Sequence, residues 1–368
     1  MTRTEYLDAL KHKLESFNME LQKDIMEDYE QHFAEGLAAG KTEDEIIEEL
    51  GSIEDMIQEL PEEDLKQEIQ ITENADEKNG TYEGNFRGIV IEGLVADVII
   101  GKSDDGCIHV DYHNDGDTQL QQRYQFYQYD ENNVFHAGIK DVGRREGAKK
   151  IILFGKTILS YDTVNQYSGD IQLSVRIPDG ISVLEAGTMS GDLEAGEIKA
   201  NQMELKTTSG DMKLYNLESG KASLHTASGD IDLTGFRAEA MRLQTGSGDV
   251  EAVNFAVGSL TAGTGSGDME LRGSMEECVI KTGSGDVEMK AENGVRRISV
   301  TTGSGDAELD LTGIGGAEVH ATVGSGECTV YGAGGEFYQA TCGSITVGSG
   351  ECKVNVQTGS GDVEVRCR

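Results

Sequence analysis

The chain has 368 residues, with 67 acidic against 31 basic side chains, a formal net charge of −36, 48 glycines and no tryptophan. A surface this negative repels nucleic-acid phosphates and anionic lipid, so direct binding to either is excluded as a function. The length allows two or three domains, and no stretch approaches the roughly 18 uninterrupted apolar residues of a membrane span.

Residues 1–62 read as a separate helical unit. Tyr6, Leu7, Leu10 and Leu14 make one stripe at helical spacing, and Leu21, Ile25, Tyr29, Phe33 and Leu37 make a second. Gly40 stops that helix, and Thr42 with Glu45 forms a capping box for the next, which carries Ile46, Ile47 and Leu50. A last short helix with Ile57 and Leu60 ends at Pro61. The expected product is a small bundle in which Tyr29, His32 and Phe33 are core or boundary residues. The opening MTRTEYLDALKHKLES scatters charges through its apolar positions and has no small-residue cleavage site, unlike a Sec-type signal, so a cytoplasmic location is expected.

The segments EYLDALKHKLES and DIMEDYEQHFAEGLAAGKTEDEIIEELGSIEDMIQEL resemble the HAAS domain, an HTH-associated α-helical signalling domain. The resemblance rests on Asp28 to Phe33, on the helix end at Glu35-Gly36 and Gly40-Lys41, and on Glu48 to Ser52; it departs at Ile53, where the family commonly has proline. It implies a protein-interaction role in bacterial signalling or envelope-stress response, with a PadR-type transcription regulator as partner and the region of Tyr29 and Phe33 as the partner-binding part.

Residues 63–82 are polar and acidic and read as a linker. From residue 83 the pattern changes to strands, irregular over 83–167 and regular over 168–368. The irregular part holds Tyr124, Phe126, Tyr127, Tyr129 and Phe135, followed by Arg144, Arg145, Lys149 and Lys150. Longer strands capping the first repeat explain these aromatics, and a ligand or partner surface is the alternative, since terminal repeats are expected to be atypical. His109 and His113 have HxxxH spacing, but four strand rises of roughly 3.3 Å set them about 13 Å apart, too far for one ion, so they read as surface histidines.

The regular part repeats one phrase, Ser-Gly-Asp/Glu, at Ser168, Ser190, Ser209, Ser228, Ser247, Ser266, Ser284, Ser304, Ser325, Ser349 and Ser360, with a step of 19 from Ser190 to Ser266 that then drifts and closes short. Apolar and polar residues alternate on both sides, as in Met212 and Leu214 or Ile231 and Leu233. A fixed period with one side-chain programme predicts a parallel β-solenoid (β-helix) of about ten coils, on the order of 50 Å long, in a mainly β chain. A sandwich or propeller is the alternative. The segment Ile171 to Ile198 followed by the SGD series resembles a bacterial β-strand-repeat family labelled “putative adhesin”, whose implied fold is β-helical.

Glycine, serine and aspartate are turn formers on local grounds alone. Two residues before eight of these serines stands a threonine column (Thr188, Thr207, Thr226, Thr245, Thr264, Thr282, Thr302 and Thr358), broken at Val323 and Val347 and read as a buried or half-buried ladder of stacked hydroxyls. The acidic column includes Asp170, Asp192, Asp211, Asp230, Asp249, Asp268, Asp286, Asp306, Glu327, Glu351 and Asp362. Like charges one coil apart repel by about 1 kcal/mol when solvated. Either backbone-bonded turn acids or calcium, a hard cation with oxygen ligands, offsets this, the calcium candidates being Asp211, Asp230, Asp249, Asp268, Asp286 and Asp306. The cysteines lack metal-like spacing; Cys328 and Cys352 take inward positions and read as small core residues with reduced thiols, an inter-coil disulfide being the alternative.

No acid differs from its own repeat, as an active site in a polysaccharide-cleaving β-helix would require, so the chain reads as a non-enzymatic interaction or scaffold protein with no cofactor. A surface adhesin or carbohydrate-binding rod, stabilised by calcium, is the alternative. The ending EVRCR reads as an exposed last coil whose Arg366 and Arg368 blunt an open edge.

Overall fold

The computed structural model describes residues 3–14, 25, 26, 29, 32, 33, 36, 41–50, 79–116, 118–142, 149–153, 156–161, 171–292, 294–332, 337–340 and 342–367. The chain divides into two units, Met1–Ile71 and Thr72–Arg368.

In the first unit, helix α1 (Arg3–Leu14) and helix α2 (Glu43–Leu50) contribute to one core of Tyr6, Leu10, Leu14, Phe33 and Ile46. Tyr6, Leu10 and Leu14 stand four residues apart, so they share one face of α1. The capping box forms: the Thr42 backbone N–H donates to Glu45 Oε2 at 2.8 Å, and the Glu45 N–H donates to Thr42 Oγ1 at 3.4 Å. The Thr42 N–H, and then the Thr42 hydroxyl donating to the same oxygen at 3.0 Å, hold the exposed Glu45 carboxyl below its ordinary range. Leu21, Leu37 and the expected helix around Ile57 and Leu60 lie outside the described residues.

The second unit is a solenoid-like stack. Its regular part is carried by four long strands, Met212–His225, Ile231–Thr245, Val250–Ser266 and Met269–Ser284, each parallel to the next. Equivalent residues lie side by side: Met212 beside Ile231, Val250 and Met269, and Leu214 beside Leu233, Ala252 and Leu271. All eight are buried in one continuous core. Each of the larger side chains contributes about 1.5–3 kcal/mol by leaving water, and stacking like on like keeps the layers in register.

Two of the corners that fold these coils are set by local backbone. One is the Ser-Gly-Asp turn. The other lies at Asn216 (φ 53°), Gly235 (φ 74°) and Asn254 (φ 57°), left-handed backbone that asparagine and glycine tolerate.

At its amino-terminal end the stack is closed by antiparallel strands, as capping requires. Gly88–Leu94 lies between Ile181–Thr188 and Val134–Asp141, and Tyr124–Glu131 pairs back on Val134–Asp141 through a two-residue turn at Asn132 (φ 52°) and Asn133 (φ 63°). Residues 79–82, expected in the linker, instead form the strand Asn79–Tyr82, antiparallel to Ile108–Asn114. Tyr82 explains the difference: its ring packs 5.0 Å from that of Phe135, within the core.

The carboxyl-terminal end departs from chain order. The strands Arg297–Ser304 and Ala307–Leu311 pair not with the next repeat in sequence but with the last, Cys352–Ser360 and Val363–Cys367. That last coil pairs on its other side with Gly316–Ser325 and Cys328–Tyr331. Antiparallel strands Cys342–Gly348 and Phe337–Ala340 follow outside these. The expected exposed last coil is therefore interior: Arg366 stands beside Asp310 and Tyr331 and pairs with Glu308 and, at 2.6 Å, with Glu364. Ser349–Glu351 is likewise not a coil corner but the bend into the last coil, with Gly348 (φ 62°) and Gly350 (φ 66°) left-handed.

A chain ending at Glu351 lacks the coil that joins 316–331 to the rest. Hydrogen exchange on that truncated protein is expected to show loss of amide protection across 316–331 with protection across 212–284 retained; protection retained in both segments would contradict this topology.

Candidate functional site

The exposed corner of the stack is where the repeated phrase resides, and its aspartate, its glycine and the threonine before it each have a distinct contact. The aspartate reaches one coil onward. The Asp230 N–H donates to Asp211 Oδ1 at 2.9 Å, Asp249 to Asp230 at 2.8 Å, Asp268 to Asp249 at 2.7 Å, and Asp286 to Asp268 and Asp306 to Asp286 each at 2.8 Å. The series then follows space rather than sequence: Asp362 donates to Asp306 at 2.7 Å, and Glu327 to Asp362 at 2.8 Å. At the other end, Asp211 donates to Asp192 and Asp192 to Asp97, each at 2.9 Å. Asp97 heads the ladder without belonging to a Ser-Gly-Asp phrase, so spacing alone does not find it. Asp170 lies outside the described residues.

The glycine is set by the neighbouring backbone. A Cβ at Gly229 would stand 2.0 Å from the Gly210 carbonyl oxygen, and one at Gly248 equally close to that of Gly229. No flexible group is there to yield, so any side chain would force the coils apart.

The threonines are buried, as expected, but their hydroxyls do not bond to one another. Thr245 Oγ1 donates to the Gly229 carbonyl at 2.9 Å and Thr264 Oγ1 to that of Gly248 at 3.1 Å. In the preceding coil Thr226 Oγ1 accepts the Gly229 N–H at 2.9 Å. A backbone carbonyl at the close-packed corner is the stronger and nearer acceptor, which displaces the expected hydroxyl ladder. Thr282 and Thr302 have buried hydroxyls without a hydrogen-bond partner.

The six calcium candidates thus line one edge, each with one carboxylate oxygen engaged by the following coil. Among the described residues, no group of three or more His, Cys, Asp or Glu is arranged to hold a metal ion. A second acidic row runs outward along the adjoining strands through Glu251, Glu270, Glu288, Glu308 and Glu364. Beside it stand cations: Arg272 bonds Glu270 at 2.6 Å and Glu288 at 3.1 Å, and Lys290 bonds Asp310 at 3.1 Å. Asp232, next to this row, has its carboxyl raised above the ordinary range by burial and then by Asp230 and Asp211, with Lys213 opposing.

Near the amino-terminal end a polar chain links a turn to the edge strand. Asp105 Oδ1 accepts from Ser103 Oγ at 2.7 Å and from the Cys107 N–H at 3.0 Å, and His109 Nε2 lies 2.9 Å from Asp105. His109 Nδ1 lies 3.1 Å from Thr81 Oγ1. His109 and then Ser103 hold the Asp105 carboxyl well below its usual range. His113 lies 3.2 Å from Asp115 instead, so the two histidines serve separate partners. On the outward side, Tyr127 donates to Glu92, and Tyr129 stacks on His136 with centroids 4.4 Å apart. Burial and the Glu92 carboxylate raise the Tyr127 phenol. Sequence reasoning missed these pairings, because Glu92 and Tyr127 meet only through the capping hairpin. Arg144 and Arg145 lie outside the described residues.

In the helical unit, Phe33 is fully buried and Tyr29 packs partly buried against the core, its ring 6.2 Å from that of Tyr6. Phe33 therefore holds the unit together from within, and Tyr29 is the member of that pair with surface to offer. His32 is exposed. The sulfurs of Cys278, Cys328, Cys352 and Cys367 are buried and free, Cys107 is free and half-buried, and burial raises the Cys278 thiol to about 12.

The family profile described as Toastrack DUF4097 matches residues 86–366, the stack from the strand Gly88–Leu94 into its last coil. The chain belongs to the Toastrack DUF4097 family. The HAAS profile matches residues 5–59, the helical unit of this Toastrack chain. Among curated proteins, none matches it in sequence. Solved structures similar to it include a “putative lipid binding protein” from Parabacteroides distasonis ATCC 8503, with 14% identity, TM-score 0.47, and 78% of this chain and 97% of that one covered. A “putative adhesin” from Parabacteroides merdae ATCC 43184 has 10% identity and TM-score 0.44, covering 79% of this chain and 97% of that one. Another, from Bacteroides fragilis NCTC 9343, has 14% identity and TM-score 0.36, covering 78% and 95%.

The ladder separates the acceptor role of the aspartate from its charge. Asp249→Ala is expected to lower unfolding stability by about 1 kcal/mol, the ordinary net value of one hydrogen bond, while Asp249→Asn, which keeps an acceptor oxygen, stays near wild type. Urea denaturation of both variants checks this; equal losses would mean that the carboxylate charge itself is required.

Proposed function

We propose that this Toastrack chain is a non-enzymatic interaction protein of bacterial signalling or envelope-stress response. In this reading the helical unit, a small bundle, docks a PadR-type transcription regulator in the cytoplasm through the surface around Tyr29. The acidic rod of about ten coils is the sensor or scaffold surface. The observation that carries the reading is the engagement of the repeated corner. Through the middle of the stack threonine and aspartate bond an adjacent coil and glycine permits its close approach, which supports a stacking role for the phrase over chemistry on a substrate. The match of the helical unit to HAAS supports a protein partner.

Affinity capture of the tagged intact protein from its native cytosol, beside a variant lacking residues 1–62, tests this by mass spectrometry. Recovery of a PadR-type regulator with the intact chain alone is expected. Equal recovery with both, or labelling of the protein from outside intact cells, would sink the reading; the second result would favour the adhesin alternative.

A further inference from the structure

The last coil, Cys352–Cys367, is threaded between two coils that precede it in the chain. On one side Arg297, Ser299, Thr301 and Ser304 align with Lys353, Asn355, Gln357 and Ser360. On the other, Glu318, His320, Thr322 and Ser325 align with the same four. Backbone bonds close both seams: the Lys353 N–H donates to the Arg296 carbonyl at 2.9 Å, Gly305 to Ser360 at 2.8 Å, and Gly361 to Ser325 at 2.9 Å. Without this coil the slot has two facing edges of unpaired N–H and C=O groups, a template that accepts a strand.

What fits the slot is specified by its contents. The entering coil must place a threonine over the Gly305 carbonyl, an acid between Asp306 and Glu327, and apolar residues inward beside Leu309 and Val330. Thr358, Asp362 and Val365 do so. The tether that delivers the coil bends at Gly348 and Gly350, both left-handed, and approaches from the outer end of the stack. The coil is thus covalently attached on the far side of the slot, not to the coil it first meets in space.

We propose that this slot is an exchange interface between two copies of the chain, in which the Cys352–Cys367 coil of each copy seats between the coils of the other. Every contact that seats the coil is available unchanged from a second copy, and only the path of the tether differs.

Outward, directly paired Ser299 and Asn355 report the exchange. Full-length Ser299→Cys and Asn355→Cys proteins are mixed, taken through a sub-denaturing urea step, returned to buffer and mildly oxidised. The expected result is a shift from monomer to a mixed disulfide-linked dimer, absent from an equally treated mixture of Arg242→Cys and Thr261→Cys, which are paired in mid-stack. The double variant Ser299→Cys/Asn355→Cys, closing within one chain, confirms that the pair can form. A mixture that stays monomeric while the double variant closes internally overturns the proposal, as does dimer from both mixtures alike.

Discussion

The structure depends on the backbone pairing of each coil with the next at one strand spacing, about 4.8 Å. At that distance a corner has no room for side chains between coils, and the Gly210, Gly229 and Gly248 series follows from it. The same distance lets an aspartate reach its neighbour's N–H and a threonine its neighbour's carbonyl. Inward, it stacks equivalent apolar residues into continuous columns, so one core extends from Ile89 to Val365. Corner chemistry and core packing are two results of one repeat distance.

The spacing also determines how so acidic a chain stays folded. Carboxylates one coil apart would repel, and in the corner row those from Asp97 to Asp362 are each met by the N–H dipole of the next coil in space. In the outward row Arg272 and Arg366 each lie between two glutamates, a local neutralisation that the overall charge conceals. What remains is a negative exterior, which disfavours nucleic acid and anionic membrane and favours a partner that presents cations or none.

Much of this was legible in the sequence because the repeat is long and strict. The 19-residue step gave the parallel stack, and the alternation gave the inward residues. The missed features share a cause. Asn216, Gly235 and Asn254 occupy one corner but share only their tolerance of left-handed backbone. Asp97 performs the ladder's role without its phrase. The order of the last coils was illegible because Ser304, Ser325 and Ser360 sit in the same phrase, so a pattern of identical units does not say which unit neighbours which. In the helical unit, the stripe through Tyr6, Leu10 and Leu14 and the Thr42–Glu45 box were readable from local rules alone. Of the candidate site residues, Phe33 belongs to the core, and the acids from Asp211 to Asp306 stand in one row that continues through Asp362 and Glu327 and leaves out Glu351.

The central claim is that space and sequence part company at the carboxyl-terminal end, and dipolar broadening between nitroxide labels tests it directly. Labels replacing Glu308 and Glu364, which are paired neighbours, should interact more strongly than labels replacing Glu308 and Thr329, which are separated by the inserted coil. Stronger coupling in the second pair would place the coils in simple chain order and contradict the account.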